Sequence, residues 1–126
     1  METKRCSIEP TNRADYNDLI NLYKDTKVWD YLGGQRSPQQ IEDRITEWLN
    51  PQENCQYWTV REIGSSAFLG CILFTPHYDG EYIQLSYMFL SRSWGNGFAF
   101  ESVSQVMALF FKNSTHKKTA GRGPIC

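Results

Sequence analysis

The sequence has no long hydrophobic run. Its longest mainly apolar stretch, Ala67 to Phe74, is far below the roughly 20 residues of a membrane-spanning helix, so no membrane partner is expected. No apolar run follows Met1-Glu2-Thr3-Lys4-Arg5, and no signal peptide is expected. Cysteine is sparse: Cys6, Cys55, Cys71 and Cys126 form no CxxC pair and no Cys/His metal spacing. That argues against zinc and against a disulfide framework. An excess of positive charge is also missing. With 13 basic and 14 acidic side chains and a net charge of −1, binding to a nucleic-acid backbone is excluded as the main role. There is no internal repeat and no low-complexity segment. These absences describe a reduced protein expected in the cytoplasm.

What is present is an ordinary globular composition. The chain has 126 residues, 40% hydrophobic and 21% charged, with 7 Phe, 7 Tyr and 4 Trp. That length fits one domain, able to bury roughly two-thirds of its unfolded surface. The aromatic content excludes disorder. Charge is uneven, because Lys112, Lys117, Lys118 and Arg122 stand in a segment without acids. Residues 1–112 are expected to form the domain and residues 113–126 an irregular basic tail.

Cys6-Ser7-Ile8-Glu9-Pro10 reads as a short first strand. Asn12 offers a helix cap with Asp15 in the first turn. Tyr16, Leu19, Ile20 and Tyr23 then repeat at helical spacing. Val28, Trp29, Tyr31 and Leu32 form an apolar cluster ended by Gly33-Gly34. Ser37-Pro38-Gln39-Gln40 is a capping box that opens a second helix, amphipathic through Ile41, Ile45, Trp48 and Leu49 and stopped at Asn50-Pro51. Three strands follow. Tyr57 to Ile63 alternates, Ala67 to Phe74 is apolar throughout, and Tyr82 to Leu90 alternates again. Asp79-Gly80 marks a turn between the last two. A helix from about Gly97 to Lys112 carries Ala99, Val103, Val106, Met107 and Phe110 at helical spacing. The order is β-α-α-β-β-β-α, an α/β fold with a mostly antiparallel sheet.

The informative loop is Leu90-Ser91-Arg92-Ser93-Trp94-Gly95-Asn96-Gly97-Phe98-Ala99. A strand runs through a glycine loop into a helix N-terminus, where backbone N–H groups have no partner and the helix dipole favours an anion. Gly95 and Gly97 remove side chains that would keep an anion away, which suits a pyrophosphate. Arg92 adds a charge-assisted contact. The Gly-Lys-Ser/Thr ending of a nucleotide-hydrolase loop is missing, as is the third glycine of a dinucleotide fingerprint. On spacing alone, the two glycines serve equally well as plain turn residues.

Arg92-Ser93-Trp94-Gly95-Asn96-Gly97 resembles the Arg/Gln-x-x-Gly-x-Gly/Ala signature of the GNAT superfamily of acetyl-CoA-dependent N-acetyltransferases. The wider run from Tyr87 through Ala99 and Glu101 is similar to the branch containing the ribosomal-protein N-terminal acetyltransferases. The resemblance covers about residues 5 to 112 and implies a GNAT-like fold with a mixed, mostly antiparallel sheet. It implies that Arg92, Ser93, Trp94, Gly95, Asn96, Gly97, Phe98 and Ala99 hold the CoA pyrophosphate. It further implies that Met88, Phe89 and Leu90 pair by backbone with the pantetheine arm and polarise the thioester. The cosubstrate would be acetyl-CoA and the acceptor a primary amine, on a peptide N-terminus or a small molecule. No metal is implied.

Two departures stand out. The carboxylate that the branch often carries three residues before the strand tyrosine is Gln84 here, and glutamine cannot accept a proton. Glu81 through a water, Ser86, Tyr87 and His77 are the remaining candidates for acceptor-side chemistry. The sequence also has no tyrosine after Tyr87 and no strand pattern after Asn113. The chain is therefore expected to lack the C-terminal strands of the family, as a truncated member would. A bare Tyr82–Leu90 edge would then favour a homo-oligomer. Three readings stay open: an N-acetyltransferase, a catalytically impaired CoA-binding remnant, and an interaction module whose glycines are structural.

Overall fold

The computed structural model describes residues 1–31, 34, 36–50, 55–76, 82–113 and 118–121. Five strands form one sheet in chain order: β1 (Cys6–Pro10), β2 (Gln56–Glu62), β3 (Phe68–Pro76), β4 (Tyr82–Phe89) and β5 (Lys118–Gly121). The first four are antiparallel neighbours, while β4 and β5 run parallel. The helices are α1 (Tyr16–Tyr23), α2 (Thr26–Tyr31), α3 (Pro38–Leu49) and α4 (Phe98–Asn113). The mostly antiparallel mixed sheet and the α/β class are as the sequence predicts.

Local chemistry sets the helix starts. Ser37 accepts the Gln40 N–H while the Gln40 side chain accepts the Ser37 N–H, a complete capping box with Pro38 in the first turn. Asn12 and Asp15 form a second such box at the 3-10 turn before α1. The Asp15 carboxylate is buried and works further. It accepts from Thr59 Oγ1 at 3.1 Å and from Arg61 Nη2 at 2.7 Å, and Arg61 also reaches Asp18 at 2.8 Å. This network fastens the start of α1 to β2.

Helices cover both sheet faces. Leu19, Tyr23, Trp29, Ile45 and Trp48 pack with Cys71, Met88 and Leu90 on one face. On the other, Phe98 and Val106 of α4 pack with Ile8, Val60, Leu85 and Phe89. Period-two alternation along β4 sends Met88 to one cluster and Phe89 to the other. Full burial of each such apolar side chain is worth roughly 1.5–3 kcal/mol.

Three expectations are corrected. The apolar cluster at Val28 is a helix, α2, capped by the Asp25 carboxylate, which accepts the N–H groups of Lys27 and Val28. The segment after α4 is not irregular throughout, and one strand follows that helix where none was expected. Lys118–Gly121 pairs with Tyr82–Leu85. A strand added to an open edge is held by backbone hydrogen bonds, so its sequence needs no hydrophobic pattern. The β4 edge is therefore covered over that half, and self-association through it loses that part of its basis. The Asp79-Gly80 turn lies outside the described residues.

Candidate functional site

The site is assembled where β4 leaves its partners. Leu90 N–H donates to the Leu69 carbonyl at 2.9 Å, and the register places Phe89 opposite Gly70 and Met88 opposite Cys71. In an antiparallel pair the backbone groups alternate in direction. Those of Ser86, Met88 and Leu90 therefore point to β3, and those of Tyr87 and Phe89 point to the other side. There β5 ends opposite Leu85, so among the described residues no strand covers Tyr87 and Phe89. The Phe89 carbonyl is taken by Trp94 Nε1–H at 3.0 Å. What faces the open side is the Tyr87 N–H and C=O and the Phe89 N–H. Of the expected pairing segment Met88-Phe89-Leu90, Phe89 turns its backbone groups to that side, as does Tyr87, while Met88 and Leu90 turn theirs to β3.

The glycine loop follows directly. Ser91–Ser93 is a 3-10 turn closed by Ser93, whose N–H and Oγ both donate to the Leu90 carbonyl, at 2.9 and 2.7 Å. Asp25 accepts the Ser91 N–H at 2.8 Å, so the cap of α2 also anchors this turn. Asn96 Nδ2 donates to the Ser93 carbonyl at 3.3 Å. Gly95 and Gly97 have φ of +84° and +78°, a left-handed conformation that favours glycine. A Cβ on Gly95 would meet nothing within 4 Å, so the backbone angle, not crowding, calls for glycine there. The helix α4 begins at Phe98, and the N–H groups of Phe98, Ala99 and Phe100 in its first turn have no intrahelical acceptor.

Two arginines flank this turn differently. Arg92 Nη2 donates to the Phe68 carbonyl at 3.4 Å. Its side chain lines a cavity of about 440 Å³ with Asp18, Asn21, Asp25 and Ser91. Arg5 comes from just before β1. Its guanidinium carbon lies 4.5 Å from the Phe98 ring centroid, and its Nη2 lies 3.4 Å from where a Gly97 Cβ would sit. Glu101, in the first turn of α4, accepts the Arg5 backbone N–H and Nε–H at 2.8 Å each, and also the Thr3 hydroxyl. The Thr3 and Arg5 hydrogen bonds pull the Glu101 carboxyl down to about 2. Arg5 has no helical or strand periodicity around it, and no local pattern pointed to it.

The acceptor-side candidates are not brought together. Ser86 is buried and half-buried Tyr87 packs edge-on to Phe89 at 6.3 Å. As neighbours on one strand, they face opposite sides of the sheet. Gln84 lies in β4 opposite Thr75 and beside Ala120. Glu81 and His77 lie outside the described residues. Among the described residues, no three His, Cys, Asp or Glu side chains gather as a metal site, and no helix is long and apolar enough to cross a membrane.

The fold has known counterparts. A GNAT-family acetyltransferase from Bacillus anthracis superposes with a TM-score of 0.80 at 16% identity, covering 96% of this chain and 71% of that one. Spermidine N-acetyltransferase from Vibrio cholerae, in complex with CoA and spermine, gives 0.75 at 11% identity, covering 94% and 71%. The ribosomal-protein-S5-alanine acetyltransferase from Vibrio fischeri gives 0.69 at 12% identity, covering 96% and 72%. No curated protein matches the sequence. The acetyltransferase (GNAT) domain family matches residues 5–121, which includes β5. The chain therefore belongs to the GNAT acetyltransferase family.

Proposed function

We propose that this protein transfers an acetyl group from acetyl-CoA to a primary amine by direct attack. One observation carries the reading: β4, which no described residue covers at Tyr87 and Phe89, leads within a few residues into a positive-φ glycine loop and a helix N-terminus. An extended thioester arm suits the first feature and a pyrophosphate suits the second.

In this reading the pantetheine arm lies along β4 and pairs with the Tyr87 and Phe89 backbone. The pyrophosphate sits on the loop Arg92 to Ala99. An N–H of that edge, from Tyr87 or Phe89, donates to the thioester carbonyl and stabilises the oxyanion formed on attack. The amine nitrogen forms the new C–N bond, the C–S bond breaks, and the amine proton passes through water to the departing thiolate. Holding two substrates in register supplies most of the acceleration. Free Cys6, Cys55 and Cys71 suit a reducing, cytoplasmic setting.

The acceptor is an amine, in line with the spermidine and ribosomal-protein substrates named for the structural neighbours. A second reading, CoA binding without turnover, is favoured by Gln84 standing where a carboxylate would serve as base. Thiol release from acetyl-CoA, measured across polyamines and peptides with free N-termini, separates the two. Amine-dependent release supports transfer. CoA binding with no release from any amine supports the second reading.

A further inference from the structure

We infer that Arg5 is a phosphate-binding residue of the CoA site, supplying from the other end of the chain a cation that the loop's own arginine does not bring to the glycines. The inference rests on the CoA reading above and adds a residue to it.

Backbone N–H groups and a helix dipole attract a phosphate, but its negative charge calls for a cation as well. Arg92 begins the loop, yet its guanidinium leans on the Phe68 carbonyl, in a cavity bordered by Asp18 and Asp25. Arg5 stands against the other end of the loop. Its guanidinium covers the ring of Phe98, the first residue of α4, and Nη2 approaches Gly97. A Cβ at 97 would only touch that nitrogen, so the left-handed φ is what calls for glycine there, and the contact places the Arg5 guanidinium directly beside the loop.

The remaining donors of Arg5 are available. Glu101 takes only Nε–H and the backbone N–H. Among the described residues, none accepts a hydrogen bond from its two terminal nitrogens. The side chain is 42% exposed, so those nitrogens meet solvent beside the loop. Glu101 fixes the base of the planar fork and leaves its outer edge free, an arrangement suited to bidentate contact with phosphate oxygens. The same pairing offsets the Glu101 charge, which would otherwise repel an anion at this helix start.

Calorimetric titration of the full chain with CoA and with dephospho-CoA tests the assignment. Arg5→Ala is expected to weaken CoA binding about tenfold, the effect of one charge-assisted contact, and to flatten its salt dependence. Arg13→Ala, on the exposed turn before α1, should change affinity less than about twofold. Loss of affinity for both ligands places Arg5 on the pyrophosphate, and loss for CoA alone places it on the ribose phosphate. Because Arg5 also ties the N-terminal segment to α4, Thr3→Val is the structural control. It removes the Thr3 hydroxyl that joins Glu101 and the Cys6 N–H and leaves Arg5 on Glu101, so CoA affinity should stay within about twofold even if the melting temperature falls. Equal loss of affinity in both variants, or none in Arg5→Ala, overturns the inference. No CoA binding by the wild-type chain overturns the CoA reading along with it.

Discussion

Gly70 holds β3 and β4 close together beneath the open edge, and Gly70→Ala tests whether that closeness matters. Gly70 lies directly opposite Phe89. A Cβ there would come to 2.5 Å from the Met88 carbonyl oxygen and 2.7 Å from both Cα and Cγ of Phe89. Ordinary contact begins near 3.4 Å, so the shortfall is about 0.7 to 0.9 Å. Turning the Phe89 ring relieves one of the three contacts; the other two are backbone. The strand β4 must therefore move away, at a cost of about 1–3 kcal/mol for overpacking of this kind. With a urea m-value of about 1–3 kcal/mol per molar, the unfolding midpoint should fall by roughly 1 M. The displaced strand also carries the Phe89 N–H, so acetyl-CoA affinity should drop in protein that is still folded. Urea denaturation followed by tryptophan fluorescence, with calorimetry on the folded protein, reads both effects. A midpoint within about 0.2 M of wild type, with unchanged affinity, would refute the close-approach argument.

Asp15→Ala removes a buried carboxylate that serves Asn12, Thr59 and Arg61 at once. It should cost about 3 kcal/mol, because Arg61 and Thr59 lose an acceptor in the part-buried network; urea denaturation measures it. The Glu101 carboxyl, held at about 2 by Thr3 and Arg5, gives a pH dependence of definite sign. Its folded value lies below the ordinary carboxylate value of 4.5. The stabilisation is therefore complete above about pH 4.5 and is lost as pH falls towards 2. Titration of its carboxyl carbon by NMR should give a midpoint near 2, and Glu101→Gln should remove this contribution to acid sensitivity.

Short-range signals carried most of this architecture. Ser37 and Gln40 announce α3 because the cap involves neighbours three residues apart, and Ile41, Ile45 and Trp48 mark its buried face. The alternation of Leu85, Tyr87 and Phe89 announces β4, and the loop at Gly95 and Gly97 stands where its residues indicated. A cap at Asp25 was also readable, since an aspartate before Thr26 is a helix-start signal, and it marks α2. The strand β5 was not readable, because Lys-Thr-Ala-Gly has no alternation and gains its place from the waiting β4 edge. Arg5 was hidden for a different reason. It meets Glu101 across 96 residues of sequence, a distance over which local periodicity is silent. That Tyr87 and Phe89 turn their amides away from β3 depends on the β3–β4 register, a parity that the strand's own sequence does not encode.

Titration calorimetry of the full chain with acetyl-CoA tests most directly whether the β4 edge and the Gly95–Gly97 loop form an acetyl-CoA site. One site per chain is expected for the wild type. No detectable binding is expected for Gly97→Val, whose side chain would face a φ of +78° and the Arg5 guanidinium, while circular dichroism shows the variant still folded. Absence of heat with the wild-type protein at millimolar acetyl-CoA, or undiminished binding by folded Gly97→Val, would contradict it.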